Sequence, residues 1–131
     1  IVAASYTYCI GTVEGEFELF EGEQDDPLRY LARIQNFSVC PMGKELRKRA
    51  MGKAIQTLGI DGVIFASNRS CKVYSVMQMD LLCEVSAEFR IPCTMIDVDH
   101  ADVRKYSEEN AFLRIEALLE NIERTRAGKS A

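Results

Sequence analysis

A thiolate can ligate a soft metal or act as a nucleophile, so the cysteines are the first residues to weigh. There are five, Cys9, Cys40, Cys71, Cys83 and Cys93. Cys71 is the best placed. It sits in the polar stretch Ser67-Asn68-Arg69-Ser70-Cys71-Lys72-Val73-Tyr74-Ser75, which reads as a loop between two patterned elements. Before it, Gly62-Val63-Ile64-Phe65-Ala66 is a short apolar run after Asp61-Gly62 and reads as a buried strand. After it, Val76, Met79, Leu82, Cys83 and Ser86 recur at helical spacing. A thiol at the carboxyl end of a strand and ahead of a helix occupies the ligand-binding edge of an open α/β sheet. The positive end of the following helix would favour its thiolate. On its residues alone Cys71 reads equally as an inert loop cysteine.

The remaining reactive types are weaker candidates. Cys83 falls on the apolar face of a helix and Cys93 inside a strand, where a free cysteine behaves as a small hydrophobe. Cys9 and Cys40 stay undecided, although Cys40 precedes Pro41 at a helix start. No CxxC pair occurs, which argues against a zinc ribbon or a thioredoxin-like site. The odd, scattered count argues against a disulfide framework, so the cysteines read as reduced and the compartment as cytoplasmic. A cysteine-phosphatase loop around Cys71 would need arginine where Met77 stands. His100, the only histidine, could be a base, a metal ligand or a solvent-facing loop residue. Asp97, Asp99 and Asp102 could gather a divalent cation, but helix-start capping explains them as well. Arg47-Lys48-Arg49 reads as a solvated helix face, with a CoA phosphate contact as the alternative. No Gly-rich phosphate loop is present, which argues against an intrinsic ATPase.

The elements that must position these residues form an α/β pattern. Near-continuous apolar runs at Ile1–Tyr6, Ile60–Ala66 and Pro92–Val98 read as parallel strands covered on both faces. Helices are expected over Pro27–Phe37, with Asp26 as its cap, and over Pro41–Leu58, with Leu46, Ala50, Ala54, Ile55 and Leu58 on one face and Gly59 as its stop. Two more follow, over Ser75–Phe89 and after Ser107, the last with Phe112, Ile115, Leu119 and Ile122 in phase and a frayed tail from Arg126. The fold expected is an open parallel sheet with helices on both faces, a three-layer domain of Rossmann or flavodoxin type. Its carboxyl edge would gather Tyr8-Cys9, Asn68 to Ser75, and Asp97-Val98-Asp99-His100. The acidic, Gly-punctuated stretch Cys9–Asp25 would leave the same edge, as a surface loop or a pocket lid.

At 131 residues the chain is expected to form a single domain. It opens inside an apparent strand without an initiator methionine, which reads as a piece of a longer polypeptide. No apolar stretch approaches the ~20 residues of a membrane helix, so no membrane contact is expected. The net charge of −4 gives no electrostatic footprint for nucleic acid.

From Asp61 to Ser75, and above all at Asn68-Arg69-Ser70-Cys71-Lys72, the chain resembles the 2-hydroxyacyl-CoA dehydratase and benzoyl-CoA reductase family. The likeness covers the C-terminal domain of one of two related subunits. It continues through Ile91-Pro92, through Tyr106-Ser107-Glu108-Glu109, and into Arg114-Ile115-Glu116-Ala117, with Pro27-Leu28 and Cys40-Pro41 as looser upstream markers. The resemblance implies a [4Fe–4S] cluster held by cysteines from different domains, with Cys71 as the ligand from this one. It also implies an acyl-CoA substrate, a second subunit, and an ATP-dependent activator protein that delivers one electron. In that chemistry a ketyl radical forms from the thioester carbonyl and an unactivated hydroxyl leaves as water. Tyr74-Ser75 after the Asn-Arg-Ser-Cys-Lys string tilts the reading toward a dehydratase over an aromatic-ring reductase. A rival of another class is a cluster-free α/β module that shapes a subunit interface or carries electrons.

Overall fold

The computed structural model describes residues 1–2, 26–29, 32 and 43–129. Residues 3–6 of the expected first strand, the acidic stretch with Cys9, and Cys40-Pro41 lie outside the described residues. The chain divides into two compact units, Ile1–Ala50 and Met51–Ala131. In the first, residues 27–29 and 32 are helical and Asp26 caps them as expected. Its Oδ1 accepts from the backbone N–H of Leu28 (3.2 Å) and Arg29 (3.1 Å), satisfying two donors a helix start leaves open.

Helix α1 runs Lys44–Leu58. Gly43, just before it, is not helical, and the expected start at Pro41 lies outside the described residues. Arg47 is buried at 6 % exposure, which corrects the reading of Arg47-Lys48-Arg49 as a solvated face. Gly59 stops the helix as expected, at φ 61°. The Ile60 N–H reaches back to the Ile55 carbonyl (3.1 Å), the six-to-one bond of a Schellman end. Ile55 is buried, but Leu58 is 44 % exposed and does not share the inward face.

The sheet of the second unit has two described strands, β1 (Val63–Asn68) and β2 (Cys93–Val98). They pair in parallel, with Val63 opposite Cys93 and Asn68 opposite Val98. Between them the single helix expected over Ser75–Phe89 is two pieces, α2 (Lys72–Ser75) and α3 (Gln78–Phe89), interrupted at Val76 and Met77. The core joins Ile55, Phe65, Leu81, Val85 and Ile91, with Met95 and Cys93 packed against it. α3 therefore turns Gln78, Leu81 and Val85 inward. Cys83 lies outside that stripe and is exposed, together with Val76 and Met79. That corrects the expectation of a buried Cys83, and the cause is visible. Gln78 is 2 % exposed and its Nε2 donates to the Ala66 carbonyl (3.2 Å), so a polar residue fixes the phase of the helix.

After β2, a 3₁₀ turn over Val103–Lys105 leads to α4, Glu108–Lys129, which packs on β2. Ser107 caps it as expected, its Oγ accepting from the Asn110 N–H (3.3 Å). Ala111 and Leu118 are the buried members of its inner stripe, while Phe112 and Leu119 are more than half exposed. The helix continues through Arg126, which pairs with Asp61 at 2.5 Å, so the frayed tail expected from Arg126 is not found up to Lys129. The architecture is α/β, an open parallel sheet with helices, consistent with a three-layer domain. Among the described residues no helix is long and apolar enough to cross a membrane.

Candidate functional site

β1 runs further than expected, to Asn68, and α2 begins at Lys72, so the expected nine-residue polar loop shrinks to Arg69-Ser70-Cys71. Those residues leave the strand through a tight turn in which the Cys71 N–H donates to the Asn68 carbonyl (3.0 Å). The Cys71 carbonyl then accepts from the N–H of Tyr74 (3.2 Å) and Ser75 (2.9 Å) and from Ser75 Oγ (2.9 Å). Both main-chain polar groups of Cys71 are thus committed, while its side chain is a free, partly exposed thiol. A single helical turn carries no macrodipole comparable to a full helix, so the helix-end argument for a thiolate does not apply here.

Two ties run from this turn to the end of β2. Arg69 donates its backbone N–H to the Val98 carbonyl (3.0 Å) and its guanidinium to Asp97 Oδ2 (2.7 Å). Both side chains of that pair are about half exposed, at 57 % and 46 %, where water competes. At the second tie the carboxylate is enclosed, although Ser70 itself is exposed. Ser70 Oγ donates to Asp99 Oδ2 (2.5 Å), and Lys105 Nζ lies 3.2 Å from the same oxygen and 3.4 Å from Ser70 Oγ. Asp99 Oδ1 accepts from the N–H of Ala101 (2.9 Å) and Asp102 (3.2 Å). The Asp99 side chain is 0 % exposed, covered by these partners rather than by a packed interior. The Ser70 hydroxyl first, then the Ala101 amide and Lys105, hold its carboxyl well below the usual carboxylate range.

The three aspartates are accordingly structural groups. Asp97 pairs with Arg69, Asp99 organises two loops, and Asp102 caps the 3₁₀ turn and binds Arg104 at 2.8 Å. Among the described residues no group of three or more His, Cys, Asp or Glu could hold a metal ion. His100 is exposed in the bend after β2. Of the expected convergence, the segments after β1 and β2 do meet, and Tyr8-Cys9 lies outside the described residues. Two amide oxygens, Asn68 Oδ1 and Gln78 Oε1, are buried without a hydrogen-bond partner among the described residues. Sequence reasoning missed Arg69, Ser70 and Lys105 as ties. For Arg69 and Ser70 the available signal was their place just beyond a strand, whereas Lys105 lies further on, in the 3₁₀ turn.

The donor set fits one role toward a cluster. A single accessible thiol on a fixed main chain can supply one ligand, and among the described residues no group of three or more His, Cys, Asp or Glu makes a complete site.

Residues 1–122 match the family described as 2-hydroxyglutaryl-CoA dehydratase, D-component. A benzoyl-CoA reductase subunit of Thauera aromatica is 27% identical over 133 residues, covering 99% of this chain and 29% of that protein. The (R)-phenyllactyl-CoA dehydratase alpha subunit of Clostridium sporogenes is 34% identical over 51% of the chain and 16% of its own length. The (R)-2-hydroxyisocaproyl-CoA dehydratase alpha subunit of Clostridioides difficile is 33% identical over 48% and 15%. The chain thus spans less than a third of the length of each of these relatives. With nearly its whole length matched by one family, this chain belongs to the 2-hydroxyglutaryl-CoA dehydratase D-component family.

Proposed function

We propose that this chain is the C-terminal domain of a subunit of a 2-hydroxyacyl-CoA dehydratase, a lyase, and that Cys71 supplies one ligand to a [4Fe–4S] cluster. The remaining ligands would come from outside this domain. The observation that carries the reading is Cys71 itself, an unengaged thiol on a main chain pinned at both ends, at the carboxyl edge of the sheet. The chemistry such a cluster supplies is one-electron transfer to the thioester carbonyl, which lets the neighbouring hydroxyl depart as water. The part of this chain is to hold the thiol. The Asn68–Cys71 turn sets its position, α2 fixes the carbonyl side, and the ties to Asp97 and Asp99 join it to the neighbouring strand. The partners in this reading are a related second subunit, an ATP-dependent activator protein as electron donor, and an acyl-CoA, in the cytoplasm. The naming of two relatives as alpha subunits supports the paired assembly.

A benzoyl-CoA reductase-type subunit is the second reading, favoured by the relative whose match covers 99% of the chain. Anaerobic assay of the full-length protein with its partner, against a 2-hydroxyacyl-CoA and against benzoyl-CoA, separates the two. For the ligand assignment, the full-length subunit is purified anaerobically with and without Cys71→Ala. Iron, acid-labile sulfide and the cluster's EPR signal should fall in the variant while its circular dichroism stays that of the parent. A Cys71→Ala subunit with full iron and full activity would return the chain to a cluster-free α/β module.

A further inference from the structure

We infer that Asp99 is a positioning residue for Cys71, acting through Ser70, and that Lys105 locks the pair. This rests on the reading of Cys71 as a cluster ligand. A ligand held by a turn is only as well placed as the turn. Ser70 immediately precedes Cys71 and is one of the two central residues of the Asn68–Cys71 turn, the other being Arg69. Both central residues are tied to the end of β2, but the ties are unequal. The Arg69–Asp97 pair is half exposed, and such pairs contribute little. Asp99 is shielded and takes four donors, the Ser70 hydroxyl, the Lys105 ammonium and two backbone amides of its own loop. One carboxylate therefore joins the loop after β2 to the turn that presents the thiol, and Lys105 bridges the carboxylate and the hydroxyl. Residues that orient a metal ligand without touching the metal are part of how such a site is built.

The arrangement separates Ser70 from Asp99 experimentally. Ser70→Ala removes the tie but leaves Asp99 its backbone amides and Lys105, so the loop after β2 keeps its organiser. Asp99→Asn removes the charge from both loops. Ser70→Thr keeps a hydroxyl and serves as the rescue. Each variant is made in the full-length subunit and read in two ways. With the cluster bound, iron retention against a chelator should weaken about 10- to 100-fold in Ser70→Ala and Asp99→Asn, the range for groups that orient metal ligands, with a broadened EPR signal. Ser70→Thr should remain close to the parent on both measures. In the iron-free subunit, alkylation of Cys71 relative to the exposed Cys83 should speed up severalfold in Ser70→Ala and stay at the parent ratio in Ser70→Thr. Parent-like iron retention, EPR signal and alkylation ratio in both Ser70→Ala and Asp99→Asn would overturn the inference, even where Cys71→Ala loses iron and the ligand reading stands. Iron kept by Cys71→Ala would instead remove the ligand reading. The alkylation ratio would then report on the tie alone.

Discussion

The two ends of the β1–β2 pair are built on different principles. At the amino end the chain is closed by packing. Ile91 is 7 % exposed, Cys93 lies against the core, the Val63 N–H meets the Pro92 carbonyl (3.1 Å), and the side chain of Ile122 fills the space beside Gly62. At the carboxyl end the two loops are joined by polar contacts, made by Arg69, Ser70, Asp97, Asp99 and Lys105. Apolar burial has no preferred direction, so it suits the end that has only to stay shut. Hydrogen bonds fix angles, and they are concentrated around the turn that carries Cys71. The packing of one end lets the other give up burial for geometry.

That contrast can be broken most severely from the core. Leu81→Ala, at 3 % exposure, should destabilise the second unit by about 2–5 kcal/mol, read as lost hydrogen-exchange protection in β1 and β2. Gly62→Ala comes next. A Cβ there would stand 2.7 Å from Ile122 Cδ1 and 3.2 Å from the Pro92 carbonyl oxygen, an overpacking that costs about 1–3 kcal/mol. Adding Ile122→Ala should make the pair less destabilised than the sum of the single changes in denaturant unfolding. Arg90 ends α3 at φ 52°, a left-handed position for a residue with a Cβ. Arg90→Gly should therefore raise stability by about 1 kcal/mol in the same unfolding measurement.

The smaller effects concern single groups. Burial pushes the Cys93 thiol up to about 11. Its folded form thus holds a proton that the unfolded chain releases earlier. The stability this contributes is complete below the unfolded thiol's range, near 9, and is lost as pH rises toward about 11. In a labelling series at pH 8, Cys93 should be the slowest of Cys71, Cys83 and Cys93 to alkylate. Arg69→Ala should leave the melting temperature at the parent value, since its pair is half exposed. A large drop would mean that the carboxyl end contributes to stability as much as the amino end, and the contrast would fail.

The sequence showed the strands more readily than the faces of the helices. β1 and β2 are apolar runs with few competing patterns, and their parallel pairing agrees with that reading. The faces were harder because hydropathy and burial disagree at particular residues. On α3, Met79 and Cys83 follow the helical period as well as Gln78, Leu81 and Val85 do, and the buried set begins with a glutamine bonded to a strand carbonyl. On α4, Phe112 and Leu119 promised burial that goes to Ala111 and Leu118. The turn that carries Cys71 was legible because a short polar string follows an apolar strand there. The Asp99 tie was not, because its partners lie 29 residues before it at Ser70 and in the 3₁₀ turn at Lys105. Only the strand register brings the two loops together.

That register has a consequence for length. Asn68 and Val98 close the ladder side by side, and Arg69 and Asp99 are the first residues past each strand. An inserted residue at the end of either strand would carry the next side chain about 3.3 Å along and onto the opposite face. The carboxylate and the hydroxyl would then no longer meet. The chain should therefore refuse insertions and deletions between Ser67 and Lys72 or between Asp97 and Asp102. The exposed end of α4 around Gly128, where nothing lies within 4 Å of an added Cβ, should accept either.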